Sequence, residues 1–301
     1  MLVDINYGIK NINMLKLLKE KTKLYWPLIK SLQTGLLLVT GIAGFASARC
    51  PVISWQILIG LIGSLFLAIS GSTVLNMVYD RDIDAKMPRT SHRPLVTGEV
   101  SKNEAFFLGM FLSVMGVTWA LSLSILFGVV VFLGLFFDAV VYTVLLKRKT
   151  PWSIVWGGIS GGMPILAGRV LGAGQIDLIG LLFTMAILLW IPTHILTFSI
   201  RYQKDYQSAG VPTFPSWYGI EKTRLIIAFS SVGAAIAIAV GLFSLGLSVG
   251  YLRTLIFLSS GLMVLAVTSI YKPSEKMNFL LFKYASVYML AAMLIISIGS
   301  L

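Results

Sequence analysis

The sequence is poor in charged residues and in the residues that most often carry out polar chemistry. Only 12% of its 301 residues are charged, two are histidine, and one, Cys50, is cysteine. A lone cysteine excludes a disulfide within the chain, and we interpret Cys50 as a packing residue. So few charged groups cannot supply the polar surface of a water-soluble domain, which excludes that class of protein.

Long apolar segments fill most of the chain instead. Hydrophobic residues make up 57% of it, and the mean hydropathy is +0.87. A run of about twenty apolar residues is long enough to cross the hydrocarbon core of a membrane as a helix. Nine such runs predict an all-α, polytopic membrane protein with a nine-transmembrane-helix bundle: 30–48, 53–78, 104–123, 125–146, 153–173, 177–199, 224–246, 251–271 and 279–301. A predicted turn near Ser122 to Ser124 separates the third run from the fourth.

The domain organisation is expected to be simple. No linker, low-complexity segment or sequence repeat divides the chain, so residues 1–301 are interpreted as a single transmembrane domain. Residues 1–29 alternate basic and apolar side chains toward their end, which predicts an N-terminal amphipathic segment lying at the membrane interface.

The basic residues are distributed unequally between the two sides of the predicted bundle. The net charge is +12, and 21 of the 24 Lys and Arg residues fall on one side, while only Arg49, Arg169 and Arg253 fall on the other. The positive-inside bias predicts a protein of the cell membrane with its N-terminus in the cytoplasm and its C-terminus outside. The basic excess is thus explained by the lipid bilayer and requires no nucleic acid partner.

The segment "NMVYDRDIDAKMPRTSHRPL", after the second run, concentrates acidic side chains. Asn76, Asp80 and Asp84 are spaced i, i+4 and i+8, so they share one face if the helix continues. Like charges at this spacing repel, and oxygen ligands suit Mg²⁺, so the pattern predicts a magnesium site on the cytoplasmic side. The alternative is a solvated loop with scattered charges. Asp82 points to the opposite side and is expected to form an ion pair.

Basic residues flank these acids, and two further polar clusters lie on the same predicted side. Arg81 and Arg93 stand beside the acids, either to bind a polyanion such as diphosphate or only to enforce topology. Asp138 lies about two turns inside the fourth run, where a carboxylate needs a partner or a wet cavity. The other members of the two clusters are Tyr142, Lys147 and Arg148 at the end of the fourth run, and Arg201, Lys204 and Asp205 after the sixth.

Four segments resemble a known family. The segment around the three acids resembles the NxxxDxxxD signature of the UbiA superfamily of intramembrane prenyltransferases, and within it the protoheme IX farnesyltransferases. Three further segments are similar to other blocks of that family: "YWPLIKSLQTGLLLVTGIAG", "YTVLLKRKTPWSIVWGGISGGMPILAG" and "RYQKDYQSAGVPTFP". The resemblance covers roughly residues 25–220, in the same order.

The resemblance implies a bundle around a cavity that opens to the cytoplasm and holds a Mg²⁺-bound isoprenyl diphosphate. The family's metal ligands fall on Asn76, Asp80, Asp84 and Asp205. Because the site at Asp205 has a single aspartate, the resemblance leaves open whether one or two Mg²⁺ ions bind. Diphosphate partners would be Arg93, Lys147, Arg148, Arg201 and Lys204, with Tyr142 near the reacting carbon. His194 matches a family histidine, which either approaches the acceptor or packs through a hydrogen bond.

The implied activity is Mg²⁺-dependent transfer of an isoprenyl group to a lipophilic acceptor. The donor is a farnesyl, geranylgeranyl or shorter diphosphate. The acceptor is a vinyl group of heme B, which gives heme O, or else a quinone-precursor aromatic, a chlorin or an archaeal glyceryl lipid. Ser31 after Lys30 and the missing double proline of "GGMPILAG" depart from the heme branch. An ion-coupled transporter is the alternative that is not an enzyme, but only Asp138 approaches the required midplane position.

Overall fold

The computed structural model describes residues 21–49 and 54–300. These residues form helices joined by turns and short loops, and none of them lies in a β-strand. Cys50 and most of the predicted interfacial segment at 1–29 lie outside the described residues, so the predictions for them stay untested.

The described residues contain nine long helices, which we number in chain order. They are α1 Ser31–Ser47, α2 Trp55–Tyr79, α3 Lys102–Leu123, α4 Ile125–Leu146, α5 Ser153–Ala173, α6 Leu178–Arg201, α7 Ile220–Ser244, α8 Val249–Tyr271 and α9 Glu275–Ser300. Within the described residues, α2 to α9 are each long and apolar enough to cross a membrane. A ninth span results if α1 is joined to the preceding helical segment Lys21–Ile29, from which it is bent by 57°. The predicted all-α membrane bundle is confirmed.

Several helix ends are set by residues that the sequence places there. Ser54, Ser101 and Asp177 cap α2, α3 and α6, each accepting a hydrogen bond from a backbone N–H in the first turn. Ser124 adopts an extended backbone between α3 and α4. That single residue reverses the chain at the predicted turn and divides the long apolar stretch into two helices.

The C-terminal half of α4 is wider than an ordinary helix. From Phe136 to Leu146 it is a π-helix, and the amide of Lys147 donates to the carbonyl of Tyr142 at 2.8 Å. Such segments are rare and occur often at functional sites. This one carries Asp138 and Tyr142, both singled out from the sequence.

Two apolar cores hold the bundle together. One is built from α1 to α5 and the other from α5 to α9 with α1, and α9 also packs on α1, so the helices close into a ring. Glycines let α1 and α5 approach closely, since a methyl group at Gly44 or Gly168 would clash with the backbone of the other helix.

Two loops meet at one end of the bundle. The α2–α3 loop contains the short helices Arg81–Lys86 and Pro94–Thr97, and the α6–α7 loop contains Gln203–Ser208 and Phe214–Tyr218. An apolar cluster joins the two loops; its members are Ile83, Met87, Ala209 and Val211, with Tyr206 packed against them. The polar clusters predicted to converge therefore do lie on one end of the protein.

Candidate active site

The helical path continues through the acidic motif. Although α2 ends at Tyr79, the amide of Asp80 donates to the carbonyl of Asn76 at 2.9 Å, and the amide of Asp84 donates to that of Asp80 at 2.8 Å. These are ordinary i to i−4 helical hydrogen bonds. Asn76, Asp80 and Asp84 therefore follow one another along one side of the chain, as their spacing predicts.

Asp80 is a buried carboxylate with one oxygen left over. Its residue is 5% exposed, and Lys147 donates a charge-assisted hydrogen bond to Oδ2. The other oxygen, Oδ1, is buried without a hydrogen-bond partner among the described residues. A buried acceptor in this state is costly, so the site fits a cation beside Asp80. The Tyr142 ring lies 5.6 Å from the ammonium of Lys147.

Asp84, one helical turn further on, is also buried, at 6% exposure. The guanidinium of Arg93 donates to its carboxylate at 2.5 Å. The hydroxyl of Thr90 donates to the Asp84 carbonyl at 3.0 Å, which ties the end of the short helix to the loop that carries the arginine. Each of the two acids is therefore paired with one cation from the predicted diphosphate-binding set.

The amide of Asn76 belongs to a polar network between α2 and the π-helical part of α4. Its Nδ2 donates to Asp138 Oδ2 at 2.8 Å, and its Oδ1 accepts from the Thr143 hydroxyl at 2.7 Å. Ser72 donates to the same Asp138 oxygen at 2.6 Å. The carboxylate inside the span thus has the partners that its position requires. The network also fixes the orientation of Asn76, because its oxygen and nitrogen are each assigned a different partner.

Asp82 forms the ion pair expected from its position. Its two carboxylate oxygens accept from Arg148 at 2.7 and 2.8 Å, and that guanidinium also donates to the Tyr79 carbonyl at 2.7 Å. The hydrogen bonds from Arg148 hold the pKa of Asp82 below its ordinary value. Arg148 is therefore engaged at the edge of the site, and its predicted contact with diphosphate stays a prediction.

The third predicted cluster is less closely connected to the acids. Arg201 stacks on Phe279, with its guanidinium carbon 4.2 Å from the ring centre. Lys204 is exposed, and the Asp205 side chain makes no hydrogen bond or ion pair within the described residues. Arg81 is exposed on the short helix after α2. In residues 21–49 and 54–300, no three His, Cys, Asp or Glu side chains cluster closely enough to hold a metal.

Lys30 is a site residue that the sequence interpretation missed. It lies between the turn Trp26–Ile29 and α1, in the left-handed conformation with φ 44°. From there it interacts electrostatically with Asp80, Arg93 and Lys147. A basic residue at the start of a span looks like an interfacial anchor. The one hint in the sequence that Lys30 belongs to the site was its place in the "YWPLIKS" segment.

Arg89 follows the acids in the sequence, among the basic residues around them, but was not assigned to the site. Its guanidinium carbon lies 5.0 Å from the ring centre of Phe198 and 5.4 Å from that of Tyr202, which links the α2–α3 loop to the end of α6. Its Nε is buried without a hydrogen-bond partner in the described part of the chain. The feature of the sequence from which a role for Arg89 could have been predicted is the basic residue in "MPRT", close to the acids.

His194 packs between aromatic rings. Its ring is stacked with Trp190 at 5.0 Å and with Phe282 at 4.6 Å, and its Nδ1 is hydrogen-bonded to the Ser286 hydroxyl at 3.2 Å. Of the two roles that the sequence left open for His194, the structure shows the second, packing through a hydrogen bond.

Comparison with known proteins identifies the family. The sequence profile of the UbiA prenyltransferase family matches residues 37–290. The chain belongs to the UbiA prenyltransferase family. It is 43% identical over 226 residues to a protoheme IX farnesyltransferase of Archaeoglobus fulgidus, covering 75% of this chain and 79% of that relative. It is 40% identical over 205 residues to one of Korarchaeum cryptofilum, covering 68% and 69%.

Solved structures agree with the fold of a UbiA prenyltransferase. A digeranylgeranylglyceryl phosphate synthase has a TM-score of 0.78 at 20% identity, covering 93% of this chain and 99% of that one. A UbiA homologue from Aeropyrum pernix has a TM-score of 0.71 at 22% identity, covering 90% and 97%. A third, from A. fulgidus and bound to GPP and Mg²⁺, has a TM-score of 0.69 at 18% identity, covering 91% and 99%.

Family membership settles the broad class of this protein. It is a multi-pass membrane protein and an intramembrane prenyltransferase, so the transporter alternative is excluded. The assignment of the acid motif and its two basic partners to an isoprenyl diphosphate stays a prediction.

Proposed function

We propose that this prenyltransferase transfers a farnesyl group from farnesyl diphosphate to a vinyl group of heme B, which gives heme O. The relatives from A. fulgidus and K. cryptofilum are named protoheme IX farnesyltransferases. Structural neighbours of the same fold hold GPP or DMAPP together with Mg²⁺. The bound ligands support an isoprenyl diphosphate as donor, and the names of the relatives support a tetrapyrrole as acceptor.

The unpartnered oxygen of Asp80 is the observation that supports a metal at this site. Asp80, Asp84 and Asn76 would hold the Mg²⁺, with Asp205 as ligand of a second ion. When bound, Mg²⁺ would supply positive charge to the oxygens of the diphosphate leaving group.

The basic residues of the site stabilise the departing diphosphate. Lys147 and Arg93 each pair with an acid and lie beside the place where the diphosphate oxygens would sit. Cleavage of the allylic C–O bond leaves both bonding electrons on the diphosphate, so these two cations interact most strongly with it as its charge grows. Arg81, Arg148 and Lys204 would surround the same anion at the edge of the site.

The cleavage also leaves an allylic carbocation, which must be kept from water until the acceptor attacks it. The helical bundle supplies an apolar, water-excluding environment. The Tyr142 ring, next to the ammonium of Lys147, would present its π face to the cation, an interaction of about 0.5–2 kcal/mol. The vinyl π electrons form the new C–C bond, and water then adds to the resulting cation with loss of a proton, which yields the hydroxyethylfarnesyl group.

The positive-inside bias supports a cytoplasmic active site. The acids and their basic partners lie at the end of the bundle that carries most of the Lys and Arg residues. The same bias places the N-terminus in the cytoplasm and the C-terminus outside.

Direct product analysis tests the proposed reaction. Purified protein in nanodiscs is incubated with heme B, Mg²⁺ and geranyl, farnesyl or geranylgeranyl diphosphate, and the products are identified by mass spectrometry. The expected result is heme O from farnesyl diphosphate, with no product after chelation of the metal. Parallel reactions offer a quinone-precursor aromatic, a chlorin and a glyceryl phosphate lipid. Prenylation of one of these, with heme B left unchanged, would contradict the proposed acceptor.

A further inference from the structure

Two cations share one aromatic ring at the cytoplasmic end of α6 and α9. The guanidinium of Arg201 lies 4.2 Å from the centre of Phe279, and the ammonium of Lys283 lies 4.6 Å from it. Within the described residues, neither cation forms a salt bridge. Two cations held together without an acidic partner repel each other, so the arrangement favours an anion beside them.

A small pocket of about 40 Å³ opens beside Arg201, between α6 and α9. The side chain of Asn278 donates to the carbonyl of Thr197 at 2.8 Å, which fixes the two helices at this point. The cavity is lined by Thr197, Phe198, Arg201, Tyr202, Asn278, Phe279 and Phe282. Its wall is therefore largely aromatic, with a guanidinium at its edge.

The aromatic surface continues from the cavity into the bundle. Phe279 and Phe282 are stacked at 6.2 Å, Phe282 and His194 at 4.6 Å, and His194 and Trp190 at 5.0 Å. These rings extend from the end of α9 toward the middle of α6, and because they stack on one another, a molecule beside them meets ring edges. A planar aromatic molecule gains apolar contact and edge-to-face ring contact along such a surface.

We propose that Arg201 and Lys283 anchor the carboxylates of the acceptor, while its ring system lies along the aromatic surface. This inference rests on the proposed function for its acceptor, a tetrapyrrole. Protoheme carries two carboxylates on one edge and its vinyl groups on the opposite side of the ring. Carboxylates are costly in hydrocarbon, so they stay at the cytoplasmic rim and direct the vinyl groups into the bundle, where the farnesyl cation forms.

The contacts of Arg201 separate it from the diphosphate. The sequence assigned it to the donor, together with Arg93 and Lys147. Those two pair with Asp84 and Asp80, whereas Arg201 lies over the rings of Tyr202 and Phe279 and has no salt bridge within the described residues. A cation that serves the acceptor is expected to affect acceptor affinity and leave donor affinity unchanged.

Porphyrin binding provides the test. Dissociation constants are measured by fluorescence for protoporphyrin IX and its dimethyl ester, with the protein in phosphatidylcholine nanodiscs. The wild type should bind the diacid at least about tenfold more tightly than the ester, since hydrogen bonds to charged groups contribute about 1.5–3 kcal/mol. The variant with both Arg201→Gln and Lys283→Gln should lose this preference. The matched control is Lys276→Gln, an exposed cation in the first turn of α9 without a ring contact, which should keep the preference.

Four results would overturn the inference, and they differ in whether they also contradict the proposed function. Equal affinity of the wild type for the diacid and the ester would contradict the proposed carboxylate contact and leave the proposed reaction untouched. A double variant that loses farnesyl diphosphate affinity as strongly as porphyrin affinity places Arg201 at the donor. Competition by phosphatidylglycerol together with equal binding of the two porphyrins identifies an anionic-lipid site. Absence of any porphyrin binding by the wild type also defeats heme as the acceptor in the proposed function, while prenyl transfer to another acceptor would leave the transferase activity intact.

Discussion

Lys147 donates to one carboxylate oxygen of Asp80, while the other oxygen of the same carboxylate is buried without a hydrogen-bond partner in residues 21–49 and 54–300. The lysine comes from the end of α4 and the aspartate from the end of α2, so the pair joins two of the predicted polar clusters. A buried carboxylate with one free oxygen can accept a cation without losing its existing ion pair. This geometry supports the assignment of Asp80 as the central metal ligand.

The first prediction concerns Asp80 itself. Asp80→Asn should lower turnover by about 100-fold or more, because a metal contributes several kcal/mol to a developing negative charge and about 1.4 kcal/mol corresponds to a factor of ten. The measurement is the rate of product formation at saturating Mg²⁺. Wild-type turnover in this variant would contradict the metal site.

Loss of stability must be separated from loss of chemistry in that experiment. Asp80→Asn leaves the largely buried Lys147 without its ion-pair partner, which costs about 3 kcal/mol. The double variant Asp80→Asn with Lys147→Gln removes the unpaired charge. It should recover most of the thermal stability and remain inactive.

A second prediction uses Asp82 as the matched control and includes its pH dependence. The pKa of Asp82 is held below its ordinary value by Arg148, so its ion pair stabilises the fold above about pH 4 and the contribution disappears as the pH falls below that. The pair is exposed, which limits its contribution to at most about 1 kcal/mol. Asp82→Asn should therefore keep its turnover and unfold slightly earlier than wild type at pH 7, and this difference in stability should shrink progressively as the pH is lowered below about 4. A loss of turnover as large as that of Asp80→Asn would refute the distinction between the two acids.

The sequence predicted the fold and the main acids well for a physical reason. A membrane span requires about twenty apolar residues, so helix number and order can be read directly from hydropathy. The i, i+4, i+8 spacing of Asn76, Asp80 and Asp84 is likewise a local property, and the hydrogen bonds across Asp80 preserve it.

Contacts between distant segments could not be predicted in the same way. The π-helix of α4 sets which side chains face α2, and nothing in "FFDAVVYTVLL" distinguishes it from an ordinary helix. The partners of Asp138, which are Ser72 and Asn76, follow from that geometry. Lys30 and Arg89 looked like interfacial charges, because their neighbours come from other helices.

The network around Asp138 leads to a third prediction. Asp138→Leu removes the acceptor for Ser72 and Asn76 and should destabilise the protein by about 1–3 kcal/mol, the cost of unsatisfied buried donors. Because Asn76 loses its fixed orientation, the Mg²⁺ concentration for half-maximal turnover should rise about 10–100-fold. Asp138→Asn keeps one acceptor oxygen, so smaller changes in both quantities are expected. An unchanged Mg²⁺ requirement in Asp138→Leu would show that the network does not support the metal ligand.

A fourth prediction tests the close approach of α1 and α5. A methyl group at Gly168 would meet the carbonyl oxygen of Gly41, so Gly168→Ala should destabilise the bundle by about 1–3 kcal/mol. Gly35, also in α1, has open space around it, and Gly35→Ala should be neutral or stabilise the protein by up to about 1 kcal/mol. Thermal unfolding in detergent measures both. Equal midpoints for the two variants would show that these helices can separate without cost.

The final prediction concerns orientation in the membrane. Ser101 precedes α3 at the end that carries the acids, and Ser248 lies in the α7–α8 loop at the opposite end; both are exposed. Single cysteines at these positions, in a Cys50→Ser background, are treated with a membrane-impermeant maleimide on intact cells and on inside-out vesicles. Because most basic residues lie on the side of Ser101, that position should react only in inside-out vesicles and Ser248 only in intact cells. The reverse pattern would place the diphosphate site outside the cell, where the positive-inside bias does not allow it.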